Sequence, residues 1–264
     1  MIIHCVWEHN GSDTLLYATN FVGAYTRGES LEIAKAKMPQ EIVSYCSWLG
    51  MEAEGKAEIV IFGEKCSELT IRDADSDVLF ESEQSPLTTE EYETLKTLAL
   101  KSAKDFLALY ESIPDKNVAA APERKTFYGP VPRTANEMYE HTKNVNTYYF
   151  AEIAVKADHD GNIYECRKRG FEALESKEPL NNSLCSVPTR CISRHLRLVK
   201  VISVQNSHYL SAFLLRFPKK GRLPLCQVVE SFRPAMASAY KLAQANIAYS
   251  RFSFFFRPRY TVFL

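Results

Sequence analysis

The chain opens on a run of strand formers, Ile2-Ile3-His4-Cys5-Val6-Trp7-Glu8, followed by His9-Asn10-Gly11-Ser12-Asp13 and a second apolar run, Leu15-Leu16-Tyr17-Ala18. That order predicts a β-hairpin, because Asn, Gly and Asp supply turn geometry between two stretches suited to a pleated surface. A short extended piece at Gly23-Ala24-Tyr25-Thr26 leads to Gly28 and a helix N-capped by Ser30, with Leu31, Ala34, Met38, Ile42, Tyr45 and Leu49 three and four apart on one face and Gly50 as its stop. Pro39 falls inside this helix, where it removes a backbone donor and crowds the preceding turn; the pattern therefore predicts a kink or two consecutive short helices. Further strands are predicted at 58–62, 68–72 and 77–80, completing a compact ββ(β)α(β) unit.

From Pro86 the period becomes helical for about ninety residues. Thr88 with Glu91 forms a capping box, and Tyr92, Leu95, Leu98, Phe106, Leu109 and Ile113 mark a stripe ending at Pro114. Residues 114–133 hold four prolines and no helical pattern, a long connection for a bundle, with Phe127-Tyr128 as a packing signal. A second capping box, Thr134 with Glu137, opens a helix through Ile153, with Met138, His141, Val145, Tyr148 and Glu152 along one face. Asp158-His159-Asp160-Gly161 reads as a turn, and Asn162 with Glu165 caps a third helix carrying Ile163, Cys166, Gly170 and Leu174. Three amphipathic helices in succession call for a fourth to close the core.

Composition changes this picture at one place. Lys plus Arg and Asp plus Glu both total 32, yet residues 1–180 hold 31 acidic and 19 basic side chains, a net charge of −12. Residues 181–264 hold one acid, Glu230, against 13 bases, a net charge of +12. Seven cysteines (Cys5, Cys46, Cys66, Cys166, Cys185, Cys191 and Cys226) form no C-x-x-C pair. The odd count and the absence of a signal-like start point to reduced thiols in a cytoplasm. The longest apolar stretches, 209–215 and 252–256, are too short for a membrane span of roughly 20 residues, so no transmembrane helix is expected.

Two resemblances follow from particular residues. The hairpin followed by Gly23-Ala24-Tyr25-Thr26-Arg27-Gly28-Glu29-Ser30-Leu31-Glu32-Ile33-Ala34 resembles the HicB-like fold over roughly residues 1–50. That resemblance implies an antitoxin of the kind that covers a small RNA-cleaving toxin, or an accessory domain of the same shape. The run Pro132-Arg133-Thr134-Ala135-Asn136-Glu137-Met138-Tyr139-Glu140-His141, continuing to Tyr148-Tyr149-Phe150, looks like the second helix of a DinB-like protein, and 165–174 resembles the helix after it. This second resemblance covers about residues 86–178, and the pairing matches two-domain proteins of bacteria. It implies an up-and-down four-helix bundle, a homodimer formed through that bundle, and a divalent metal such as zinc or nickel. It also implies, in some members, thiol-dependent transferase or isomerase activity. The family's metal site takes one imidazole from the second helix and two from an H-x-x-x-H pair on the fourth; His141 matches the first, and no H-x-x-x-H occurs among the six histidines. The metal site is therefore expected to be degenerate in this chain, with His141 as its one recognisable ligand. The plain reading beside it is a semi-buried histidine hydrogen-bonded to a neighbour in the bundle.

The expected organisation is α+β: a HicB-like α/β domain at 1–82, a DinB-like bundle at 86–180, and a basic segment at 181–264 that does not match the family. Three readings of the basic segment stand open. It is an arm that binds nucleic acid through phosphates, with Phe254, Phe255, Phe256 and Tyr260 stacking on bases. It is a membrane-surface attachment built from the same Arg and Phe mixture. Or the reading frame shifted near Leu180, so that another frame of the coding DNA carries the missing H-x-x-x-H helix and the bundle is incomplete. His195 and His208, thirteen apart, do not replace that pair.

Other candidate chemistry is sparse. Asp73, Asp75 and Asp77 alternate and share a strand face, as a cation site or, more simply, a solvated turn; Asp158 and Asp160 read the same way. Cys166 reads as a small core residue before it reads as a nucleophile. No glycine-rich phosphate loop, G-x-S-x-G elbow or H-E-x-x-H occurs. Two functions remain. One is a metal-dependent, thiol-transferase-like enzyme in which an ion held by His141 activates a thiol or water. The other is a non-catalytic regulatory module whose α/β domain meets a protein or RNA partner.

Overall fold

The computed structural model describes residues 1–11, 13–67, 88–119, 123, 125–126 and 129–177. The architecture is mixed α+β, and the described residues fall into two compact units: 1–67 with the described part of 123–131, and 88–119 with 132–177.

In the first unit β1 (Ile2–His9), β2 (Thr14–Ala18) and β3 (Tyr25–Gly28) form an antiparallel meander; α1 (Leu31–Trp48) follows, and β4 (Glu58–Cys66) returns parallel to β1, giving the order β3-β2-β1-β4. The predicted hairpin turn forms as expected, with Gly11 at φ +88° and the Asp13 amide donating to Asn10 Oδ1 at 3.0 Å. Alternation sends Ile3 and Cys5 of β1 and Leu16 and Ala18 of β2 into one core with Ala34, Met38, Ile42, Tyr45 and Cys46 of α1. The β1–β4 register slips between Cys5 and Val6, where Phe62 is passed over and stands out to solvent. Strands expected at 68–72 and 77–80 lie outside the described residues.

Of the two outcomes expected at Pro39, a kink or two short helices, the second does not occur: α1 is one helix from Leu31 to Trp48. Pro39 sits on the exposed face, so water can reach the carbonyl that lacks its amide partner. Apolar residues on either side of it, Ala34 and Met38 before, Ile42 and Tyr45 after, hold both halves on the same core. Ser30 caps the helix by accepting the Ile33 amide at 3.3 Å, and Gly50 follows its end at φ +71°. Residues 114–133, read as a long connection with no helical pattern, contain a short antiparallel pair of β5 (Lys125–Thr126) and β6 (Gly129–Pro130).

The second unit holds α2 (Thr89–Glu111), α3 (Ala135–Glu152) and α4 (Ile163–Lys177). Both Thr-Glu capping boxes are formed, and the Glu165 amide donates to Asn162 Oδ1 at 3.0 Å at the start of α4. Paired contacts fix the helix directions. Tyr92 meets Glu175 and Ala99 meets Arg167, so α2 and α4 are antiparallel; Tyr110 meets Asn136 and Phe106 meets Tyr139, so α2 and α3 are antiparallel as well. Tyr139 meets Ile163, Asn146 meets Arg167 and Phe150 meets Phe171, so α3 and α4 run the same way. The up-and-down order expected of the bundle therefore fails at this step. Residues 153–162, with Ile153 and Val155 buried, carry the chain back along α3 before α4 begins. Among the described residues no helix is long and apolar enough to cross a membrane.

Candidate functional site

The inward faces of these helices are mostly apolar, as burial requires. On α2 the middle of that face is small: Ala99, Ser102 and Ala103 lie between Tyr92 and Leu95 on one side and Phe106 on the other. Leu98 and Leu109, assigned to the stripe by spacing, are only half-buried. On α3 the buried face carries Ala135, Met138, Tyr139, Thr142, Val145, Asn146, Tyr149 and Phe150. On α4 it carries Ile163, Cys166, Arg167, Gly170, Phe171 and Leu174. A guanidinium thus stands in the central position of the core stripe of α4, four residues from Ile163 and four from Phe171.

Arg167 is 1% exposed, the largest fully buried side chain described. Its Nε donates to Asn146 Oδ1 at 3.1 Å and its Nη1 donates to the Ala99 carbonyl at 2.9 Å, so it joins all three helices. The small side chain of Ala99 permits that approach, and a helical carbonyl has a second lone pair to accept with. Burial lowers the pKa of the guanidinium to about 9, while Tyr149 and Cys166 nearby act in the opposite sense. It is charged at neutral pH, and an ion in such a place costs several kcal/mol unless its hydrogens are well placed.

Two buried polar atoms of the other two helices find no hydrogen-bond partner among the described residues: Asn146 Nδ2, on the residue that accepts from Arg167 Nε and is 1% exposed, and Ser102 Oγ of α2, on a residue 3% exposed. Ser102 lies one turn from Ala99 on the same face of α2. Each buried group left without a partner costs about 1–3 kcal/mol. Thr142, one turn before Asn146, is satisfied by donating to the Met138 carbonyl at 2.8 Å. Cys166 is fully buried, its thiol pushed up by desolvation first and donating to the Asp160 carbonyl at 3.2 Å, as a small core residue would.

His141 lies on the flank of α3, half-buried, beside the inward face rather than on it. The stripe drawn through Met138, His141, Val145, Tyr148 and Glu152 is thus displaced around the helix from the buried one, which centres on Thr142 and Asn146. Desolvation holds the imidazole below its ordinary pKa, so it is neutral at pH 7. The Asp158 carboxylate pairs with Arg169, and Asp160 accepts from the same guanidinium through its backbone carbonyl, so both residues belong to the turn before α4. Among the described residues no three His, Cys, Asp or Glu side chains gather in a way that holds an ion, so these residues by themselves do not fit the metal that the resemblance implies. Asp73, Asp75, Asp77, His195, His208 and the basic segment 181–264 lie outside the described residues.

Sequence reasoning missed Arg167, Asn146 and Ser102. Each stands in phase with an apolar stripe, and an arginine at such a position was the available signal. The chain matches no protein-family model, no curated protein and no solved structure.

Proposed function

We propose that the second unit is a ligand-binding helical bundle of DinB-like type, carried behind a HicB-like α/β module, and that it takes up a small polar ligand at the Arg167 cluster. One observation carries the binding reading: Arg167 ties α2, α3 and α4 together in the core, and two buried polar side chains of those helices, Asn146 and Ser102, have an atom with no hydrogen-bond partner among the described residues. The family reading is supported by the two Thr-Glu capping boxes and by His141 followed by Tyr148-Tyr149-Phe150 on α3. The strand-led entry into α1 through Gly28 and Ser30 supports the HicB-like part.

A second reading, a metal-dependent enzyme using His141, is favoured by one feature: burial keeps this imidazole neutral, the state a metal ligand requires. Thermal unfolding of the full chain with a panel of small polar compounds, zinc and nickel tests both. The expected result is a rise in the unfolding temperature of the wild type with at least one polar compound, absent in Ser102→Ala. A zinc or nickel response lost in His141→Ala carries the second reading. No response of the wild type to any compound sinks the first.

A further inference from the structure

β4 stands at the edge of the four-stranded sheet, and among the described residues it pairs with β1 alone. An edge strand offers a row of backbone amides and carbonyls to any strand laid beside it. Two of its exposed side chains are large and apolar, Val60 at 39% and Phe62 at 53% exposure, and Ile2 of β1, on the same face as Val60, is 51% exposed. The Phe62 ring meets His4 of that face edge-on, at 6.1 Å between centroids.

We propose that this edge is an interface between two copies of the chain, with β4 pairing antiparallel to β4 about a twofold axis at Ile61. The bulge selects the register. Glu58 and Lys65 are seven apart, an odd number that in an unbroken strand sends side chains to opposite faces. Their partners on β1, Ile2 and Glu8, are six apart, so the extra residue at Phe62 brings Glu58 and Lys65 to one face. An antiparallel pairing that passes over Phe62 sets Ile61 against the second copy's Ile61, Val60 against its Gly63, Ile59 against its Glu64 and Glu58 against its Lys65. In every pair both members share a face, as an antiparallel ladder requires. Each end of the interface then holds a Glu58–Lys65 pair, and no side chain crowds Val60. Moving the register either way separates both charge pairs. Bulges and lysines protect an edge against indiscriminate pairing; here they leave one register in which charge and face agree, and the strand that supplies the complement is β4 itself.

Sedimentation velocity of the full chain over a dilution series reads the oligomeric state, with circular dichroism as the check on folding. The wild type is expected to form a dimer that dissociates on dilution. Glu58→Lys and Lys65→Glu each oppose like charges at both ends, and each is expected to weaken the dimer about tenfold or more. Combined, they restore opposite charges and are expected to return affinity to within about threefold of the wild type. Lys65→Glu adds a carboxylate beside Glu8; should it not fold, Phe62→Ser takes its place and is expected to weaken the dimer as Glu58→Lys does. A wild type that stays monomeric at the highest concentration overturns the inference, as it would if another part of the chain covered the edge. A dimer indifferent to Glu58→Lys and Phe62→Ser overturns it too, assigning association to another surface such as the helical unit. So does a folded double variant that fails to recover. None of these outcomes bears on the ligand reading, which concerns the other unit.

Discussion

At the scale of single residues, the second unit is governed by groups whose ionisation burial opposes. His141 is the clearest for measurement, because desolvation places its folded pKa below the ordinary value of 6.5. The unfolded chain then binds the proton more readily than the folded one, so the contribution of this residue to stability is whole above that ordinary value. It declines as pH falls through the window between 6.5 and the lowered folded pKa, and levels off below it. His141→Gln is expected to flatten the slope of stability against pH in that window, as read from urea midpoints of the two proteins; an unchanged slope would show that the ring is not desolvated. Arg167 was illegible for a related reason. Periodicity sorts positions by polarity, and a buried cation contradicts the sorting rule at the place where it matters most. His141 was legible as a residue type at a helical spacing, but its place on the flank was not, because half-buried and buried positions differ by a fraction of a turn.

At the scale of elements, local rules read well where side chain meets its own backbone. Ser30, Thr88, Thr134 and Asn162 all cap as their spacing predicts, since capping needs only residues three apart. Pro39 does not divide α1 in two, because the local penalty is offset by docking of the whole face, which no local rule contains. The contact between α3 and α4 is another case decided between elements. A Cβ built on Gly170 would lie 2.2 Å from Cε2 of Phe150, whose ring also packs edge-on against Phe171 at 5.4 Å between centroids. Glycine here lets an aromatic ring sit against the backbone of the neighbouring helix. Gly170→Ala is therefore expected to destabilise by about 1–3 kcal/mol through overpacking. The better helix propensity of alanine returns at most about 1 kcal/mol. A urea midpoint lowered at unchanged slope checks this, and an equal or higher midpoint would mean that Phe150 moves aside freely.

At the scale of the whole molecule, the alternation of strand and helix patterns marked out the hairpin, the strand that begins at Glu58 and the three helices of the second unit. Helix direction was not legible. Antiparallel neighbours were expected because the DinB-like resemblance implies an up-and-down order, but residues 153–162 form a link long enough to run back along α3, and nothing in their composition announces it. That return arrangement has a kinetic consequence. The contacts of α3 with α4 join residues 21 to 24 apart, as in Asn146 with Arg167 and Tyr139 with Ile163, whereas those of α2 with α4 join residues 68 to 83 apart. Closing the shorter loop costs less chain entropy, so the α3–return–α4 segment is expected to assemble first and α2 to dock onto it later. Truncating Phe150 should then slow refolding, while truncating Tyr92 should chiefly hasten unfolding, and stopped-flow measurements showing the reverse would overturn that order. The Asn146 end of Arg167 would be in place before its Ala99 end, which makes one buried arginine the last bolt closed as well as the centre of the unit.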